Sequence, residues 1–101
     1  MIEGLKIDIP SVELVEHLTE RATFHLERGK FYREQAKAIG ERGDIIADVT
    51  NDPQRNLNQS GKTHEERYAF FRFLAEHVVP SETYRLNESD LARIELLSRY
   101  L

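Results

Sequence analysis

Apolar and polar positions recur with a helical period over much of this chain, and the longest such run extends from Ser11 to Gly40. One row of side chains, Leu14, Leu18, Arg21, His25, Arg28, Tyr32, Gln35 and Ile39, advances by four and three in turn. That spacing is the pattern of a helix seam facing a partner. The row is apolar at its ends, but Arg21, His25 and Arg28 fill its middle, where leucine is expected. Ala22, Gly29 and Ala36 flank the row and are small enough for a close helix approach. Phe24 and Phe31 lie on one side, Val15 and Leu26 on the other, while Glu16, Thr19, Glu20, Thr23, Glu27, Lys30, Glu34 and Lys37 form a solvated face. An arc this wide predicts two contact surfaces, where a simple surface helix has one narrower stripe. The ends are marked as well. Ile9-Pro10 blocks earlier entry, and the Ser11 hydroxyl suits a cap. Gly40 supplies the stop.

The remaining elements follow from the same pattern. Residues 1–10 alternate with period two at Leu5, Ile7 and Ile9 and predict an extended arm. No second strand is evident, so the arm is expected to lie on the helices or on a neighbouring subunit. Residues 41–62 collect Gly43, Asn51, Asp52, Pro53, Asn56, Asn58, Ser60 and Gly61 and read as a mobile linker, with one short turn at Ile45, Ile46 and Val49. Thr63 with Glu66 is a capping-box signature that opens a second helix over 63–79, stopped by Pro80. Residues 81–86 read as a turn. Asn87 with Asp90 caps a third helix over 87–101, apolar at Leu91, Ile94, Leu97 and Leu101. The predicted fold is all-α: a single domain, 1–101, of one long N-terminal helix and two shorter ones. A long helix of roughly 40 Å is wider than a compact domain of this size. Two shorter helices do not cover it, so the bundle is expected to be completed by homodimerisation.

Composition narrows the function classes. The 101 residues are 40% hydrophobic and carry a net charge of −4, so no global attraction to nucleic acid or anionic membranes is expected. There is no cysteine, which excludes disulfides and thiolate zinc sites. Met1-Ile2-Glu3-Gly4 does not resemble a signal peptide, and no apolar run approaches a membrane span of about 18 residues. A cytoplasmic protein with no membrane partner is the expectation.

Several motifs fail on inspection. Ser60-Gly61-Lys62-Thr63 resembles the end of a phosphate-binding loop, but Asn56 stands where the first glycine belongs. His64-Glu65 opens like a zinc-protease motif, yet Tyr68 replaces the second histidine. The Glu-x-x-His pattern of di-iron bundles is absent, because Leu14, Ala22, Gly61 and Leu74 precede the four histidines by three. No motif is specific to a family, and none assigns an activity.

What remains is the polar seam. Arg21, His25, Arg28 and Tyr32 form a candidate register-setting or anion site. Glu13, His17, His25 and His64 are a candidate set of metal ligands, since imidazoles with a carboxylate suit zinc or another divalent ion. The bland alternative is that these histidines are core-edge residues making hydrogen bonds, and the arginines pair with carboxylates such as Glu65, Glu76, Asp90 or a second subunit's Glu20. Catalysis would rest on His25 as base with Tyr32 beside it, which is thin support for an enzyme. The basic residues do not share a face, so nucleic acid is not an expected partner. The sequence therefore favours a homo-oligomeric structural or protein-interaction module without a cofactor. The alternative is a ligand-binding bundle that holds a divalent metal or small anion.

Overall fold

In the computed structural model, which describes residues 4–41 and 53–100, Pro10 ends a strand and Ser11 opens a helix. The strand is β1, Lys6–Pro10, and the helix is α1, Ser11–Glu41. A second helix, α2, spans Pro53–Glu76; β2 spans Thr83–Asn87; α3 spans Glu88–Arg93; and a short 3-10 turn covers Leu97–Tyr100. The chain is mostly helical, with a small two-stranded sheet. It divides into two compact units, Met1–Arg21 with Phe71–Leu101, and Ala22–Phe70.

The first unit holds the apolar core. Ile9, Leu14, Leu18, Phe71, Leu91, Ile94 and Leu96 are buried in it. Each large side chain so enclosed contributes on the order of 1.5–3 kcal/mol. The arm does not lie alone, because β1 pairs antiparallel with β2, Ile7 opposite Leu86 and Ile9 opposite Tyr84. Tyr84 and Leu86 alternate with Thr83 and Arg85, a period of two inside a stretch that reads as a turn. The junction is tied at Ser11, whose N–H donates to the Glu82 carbonyl at 2.8 Å and whose hydroxyl accepts from the Ser81 N–H at 3.1 Å. Asp8 and Arg85 pair across the strands at 3.0 Å. This ion pair holds the Asp8 carboxyl below its ordinary range.

The third helix is shorter than the sequence suggests. Its N-terminus forms the capping box: the Asp90 N–H donates to Asn87 Oδ1, and the Asn87 N–H donates to the Asp90 carboxylate. Its C-terminus closes at Ile94, where Glu95 takes a φ of 59°. Glu95 N–H then reaches the Ala92 carbonyl, and Leu96 N–H the Leu91 carbonyl at 2.8 Å. This is a Schellman closure with buried Leu91 and Leu96 as its apolar pair. Glycine usually holds the left-handed position, and none is present here, so the stop is invisible in sequence.

The described residues of the second unit form a pair of antiparallel helix segments. Among them Ala22, His25, Gly29 and Ala36 of α1 and Gly61 of α2 are the buried positions. A Cβ on Gly29 would meet the Gly61 carbonyl oxygen at 3.4 Å, so the two backbones approach closely there. The second helix begins at Pro53, ten residues before Thr63. Proline is tolerated in a first helical turn. Asn58 and Gly61 look like loop formers but serve the helix contact: Asn58 accepts from Arg33, and Arg33 lies across Gly61. Thr63 is no cap, since its hydroxyl donates back to the Gln59 carbonyl at 3.0 Å, inside the helix. The helix also ends at Glu76, short of residue 79. Of the predicted linker, residues 42–52 lie outside those described, and 53–62 are helical.

Candidate functional site

The helical period of α1 brings His25 to the buried face, and the same period on α2 brings His64 to meet it. His25 is 5% exposed. Its Nδ1 lies 2.7 Å from Nδ1 of His64. One of these nitrogens must carry a proton and donate, and the other must accept with its lone pair. Tyr32 stacks on His64 at 5.5 Å with an interplanar angle of 15°. Phe24 presents its edge to both imidazoles, at 5.2 and 6.3 Å. Arg28 donates to the Tyr32 hydroxyl at 3.2 Å, and its guanidinium stands 5.3 Å from that ring and 5.6 Å from the ring of Phe31. His25, Arg28, Tyr32 and His64 therefore form one layered cluster. It joins the two rings by one hydrogen bond, and it presents a cation at its outer edge.

The other seam residues are placed in the first unit. His17 is buried and its Nε2 lies 2.7 Å from the Ile94 carbonyl oxygen, so that nitrogen donates. Arg21 pairs with Glu95, its Nε donating at 2.8 Å. The left-handed backbone at Glu95 turns this carboxylate toward α1, an unfavourable conformation for a residue with a Cβ. His17, Glu20, Arg21, Glu95, Ser98 and Arg99 help line a small polar cavity of about 250 Å³. Glu13 is exposed on α1. Among the described residues no three or more His, Asp or Glu side chains are grouped to hold a metal ion.

The arginine partners differ from those the sequence offers. Arg21 takes Glu95. Glu65 is held by Arg33 through two bonds of 2.9 Å. Glu76 pairs with Arg72 within α2, and Asp90 serves the α3 cap. The Arg33 guanidinium hydrogen-bonds Glu65 and keeps its carboxyl below the usual carboxylate range, and the same pairing raises Arg33. The fourth histidine, His77, donates from Nδ1 to the Phe73 carbonyl at 2.8 Å and stacks on that ring at 4.1 Å.

Sequence reasoning passed over the close contact of Arg33 with Gly61. The signal lies in the helical period of 54–62, which places Gln54, Asn58 and Lys62 on one row once that stretch is read as helix. No helix among the described residues is long and apolar enough to cross a membrane. The chain matches no family model, no curated protein and no solved structure.

Proposed function

We propose that the protein is a self-associating helical module, structural or protein-binding in role, whose second copy docks on the outer face of α1. One observation carries this reading. Phe24 and Phe31 are 40% and 47% exposed, two turns apart on α1, with Arg28 between them against the Phe31 ring. Among its described residues the second unit thus buries alanine, glycine and histidine and leaves Phe24 and Phe31 outside. Aromatic side chains with arginine are the composition of interface hot spots.

The stripe is also suited to itself. A two-fold axis midway between Glu27 and Arg28 is midway between Phe24 and Phe31. Antiparallel pairing of two such helices sets Phe24 against Phe31 and Arg28 against Glu27, in both directions. Isologous contacts of this kind are the commonest way for a chain to dimerise. The stripe stands about a third of a turn from the buried row of α1, which accounts for the wide arc in the sequence. Light scattering on an eluting column should give about twice the 11.8 kDa chain mass. A monomer at micromolar concentration removes this reading.

A second reading is a bundle that binds a divalent metal or small anion at the polar seam, and the convergence of His25 and His64 favours it. Elemental analysis of the purified protein tests it. Near one equivalent of metal per chain, lost together with thermal stability on chelation, supports that reading; less than a tenth of an equivalent opposes it.

A further inference from the structure

We propose that the polar cavity between α1 and the residues following α3 binds a free α-amino acid with a small side chain, as its zwitterion. The cavity lies within the first unit and encloses about 250 Å³. Two opposite charges line it without meeting. Glu20 brings a carboxylate from α1, and Arg99 brings a guanidinium from the 3-10 turn. Both residues are exposed, and among the described residues neither side chain has an ion-pair or hydrogen-bond partner. Unpaired opposite charges on one cavity suit a ligand that carries both.

His17 supplies the directional contact. It is 6% exposed, and its Nε2 donates to the Ile94 carbonyl at 2.7 Å. A neutral imidazole protonated at Nε2 keeps a lone pair on Nδ1. Among the described residues that nitrogen has no partner. No fully enclosed side-chain nitrogen or oxygen lacks a partner among them, so Nδ1 is accessible. His17 and Glu20 are three apart on α1 and share a face. Lone pair and carboxylate both accept, which suits the N–H groups of an ammonium. Arg99 and the Ser98 hydroxyl donate, which suits a carboxylate. Arg21 is held by Glu95, its Nε donating at 2.8 Å, and this pair forms a wall of the cavity. A simple anion would be repelled by Glu20, and a metal cation by Arg99, whereas a zwitterion can turn each end to its opposite. The volume equals about eight waters at about 30 Å³ each, which admits glycine, alanine or serine and leaves no room for a nucleotide. Leu96 is the one apolar residue of the described lining, so a large apolar side chain gains little there.

This inference does not depend on self-association and uses no residue of the His25 and His64 cluster. Titration calorimetry of the whole chain with glycine, acetate, methylamine, trimethylglycine and inorganic phosphate tests it. One glycine per chain should bind saturably. Acetate, methylamine and phosphate, which lack one of the two charges, should bind more weakly by about tenfold or more. Trimethylglycine keeps both charges but has no N–H for His17, and should lose a similar factor. Glu20→Gln and Arg99→Gln alter exposed side chains, so each should keep the helical circular dichroism and weaken glycine binding by about tenfold or more. Absence of saturable glycine binding overturns the proposal. So does acetate, phosphate or trimethylglycine bound as tightly as glycine, or native affinity in either variant.

Discussion

His25 and His64 join two helices through a hydrogen bond of 2.7 Å between their Nδ1 atoms. The bond requires one donor and one acceptor. His25→Leu should keep or raise the melting temperature, because leucine packs there without desolvating a polar group. Thermal unfolding of the two chains checks this, and a leucine variant that melts well below the native chain contradicts it.

The carboxylates give the fold a pH dependence in acid. Arg33 holds Glu65, and Arg85 holds Asp8, below the ordinary carboxylate range. A depressed carboxylate stabilises the fold above its unfolded value, roughly 4, and the contribution is lost as pH falls through the folded value. Carboxyl carbon resonances of both residues should titrate below those of unpaired glutamates and aspartates. In Arg33→Gln the Glu65 resonance should return to the ordinary range and Asp8 should not move.

Gly29 sets how closely the two helices approach. Alanine there meets only ordinary contacts, the nearest being the Gly61 oxygen at 3.4 Å. Gly29→Ala should therefore gain about 0.5–1 kcal/mol from helix propensity. Gly29→Leu has no room and should lose about 1–3 kcal/mol. Thermal unfolding distinguishes the two. A stable leucine variant shows that the helices do not cross at this residue.

Glu95 combines an unfavourable backbone with a useful carboxylate. Its φ of 59° suits glycine, and its side chain pairs with Arg21, with 31% and 27% of the two side chains exposed. Glu95→Gly relieves about 1 kcal/mol of strain and loses a half-exposed pair of similar or smaller worth. It should be neutral or mildly stabilising. Glu95→Ala loses the pair and keeps the strain, so it should be the less stable variant by about 1 kcal/mol. The reverse order in urea denaturation contradicts the Schellman closure.

The long helix was legible because its limits are local. Ile9-Pro10 marks the start, and Gly40 falls one residue from the observed end. The small residues beside the seam were legible too, but the row that is buried runs through them, Leu18, Ala22, His25, Gly29, with Arg28 outside. The start of α2 was not legible. Asn58 and Gly61 favour loops in isolation, and only the side chain of Arg33, arriving from another helix, explains them. The strand β2 was hidden for a similar reason, since five residues become a strand only when β1 lies beside them. That His25 and His64 meet was not legible: each lies on an inward-facing row, but nothing in the sequence sets the register of α1 against α2. The commitment of His17 to the Ile94 carbonyl depends on a helix end that no residue in the sequence announces.

Self-association through the outer face of α1 is most directly tested by sedimentation equilibrium on four chains. The native protein should show a mass about twice 11.8 kDa. Glu27→Arg and Arg28→Glu each set like charges opposite one another and should weaken the dimer tenfold or more, about 1.4 kcal/mol. The double exchange, Glu27→Arg with Arg28→Glu, restores opposite charges across the two-fold axis and should recover most of the native affinity. A native chain that sediments as a monomer, or single exchanges that leave the dimer unchanged, would contradict the account.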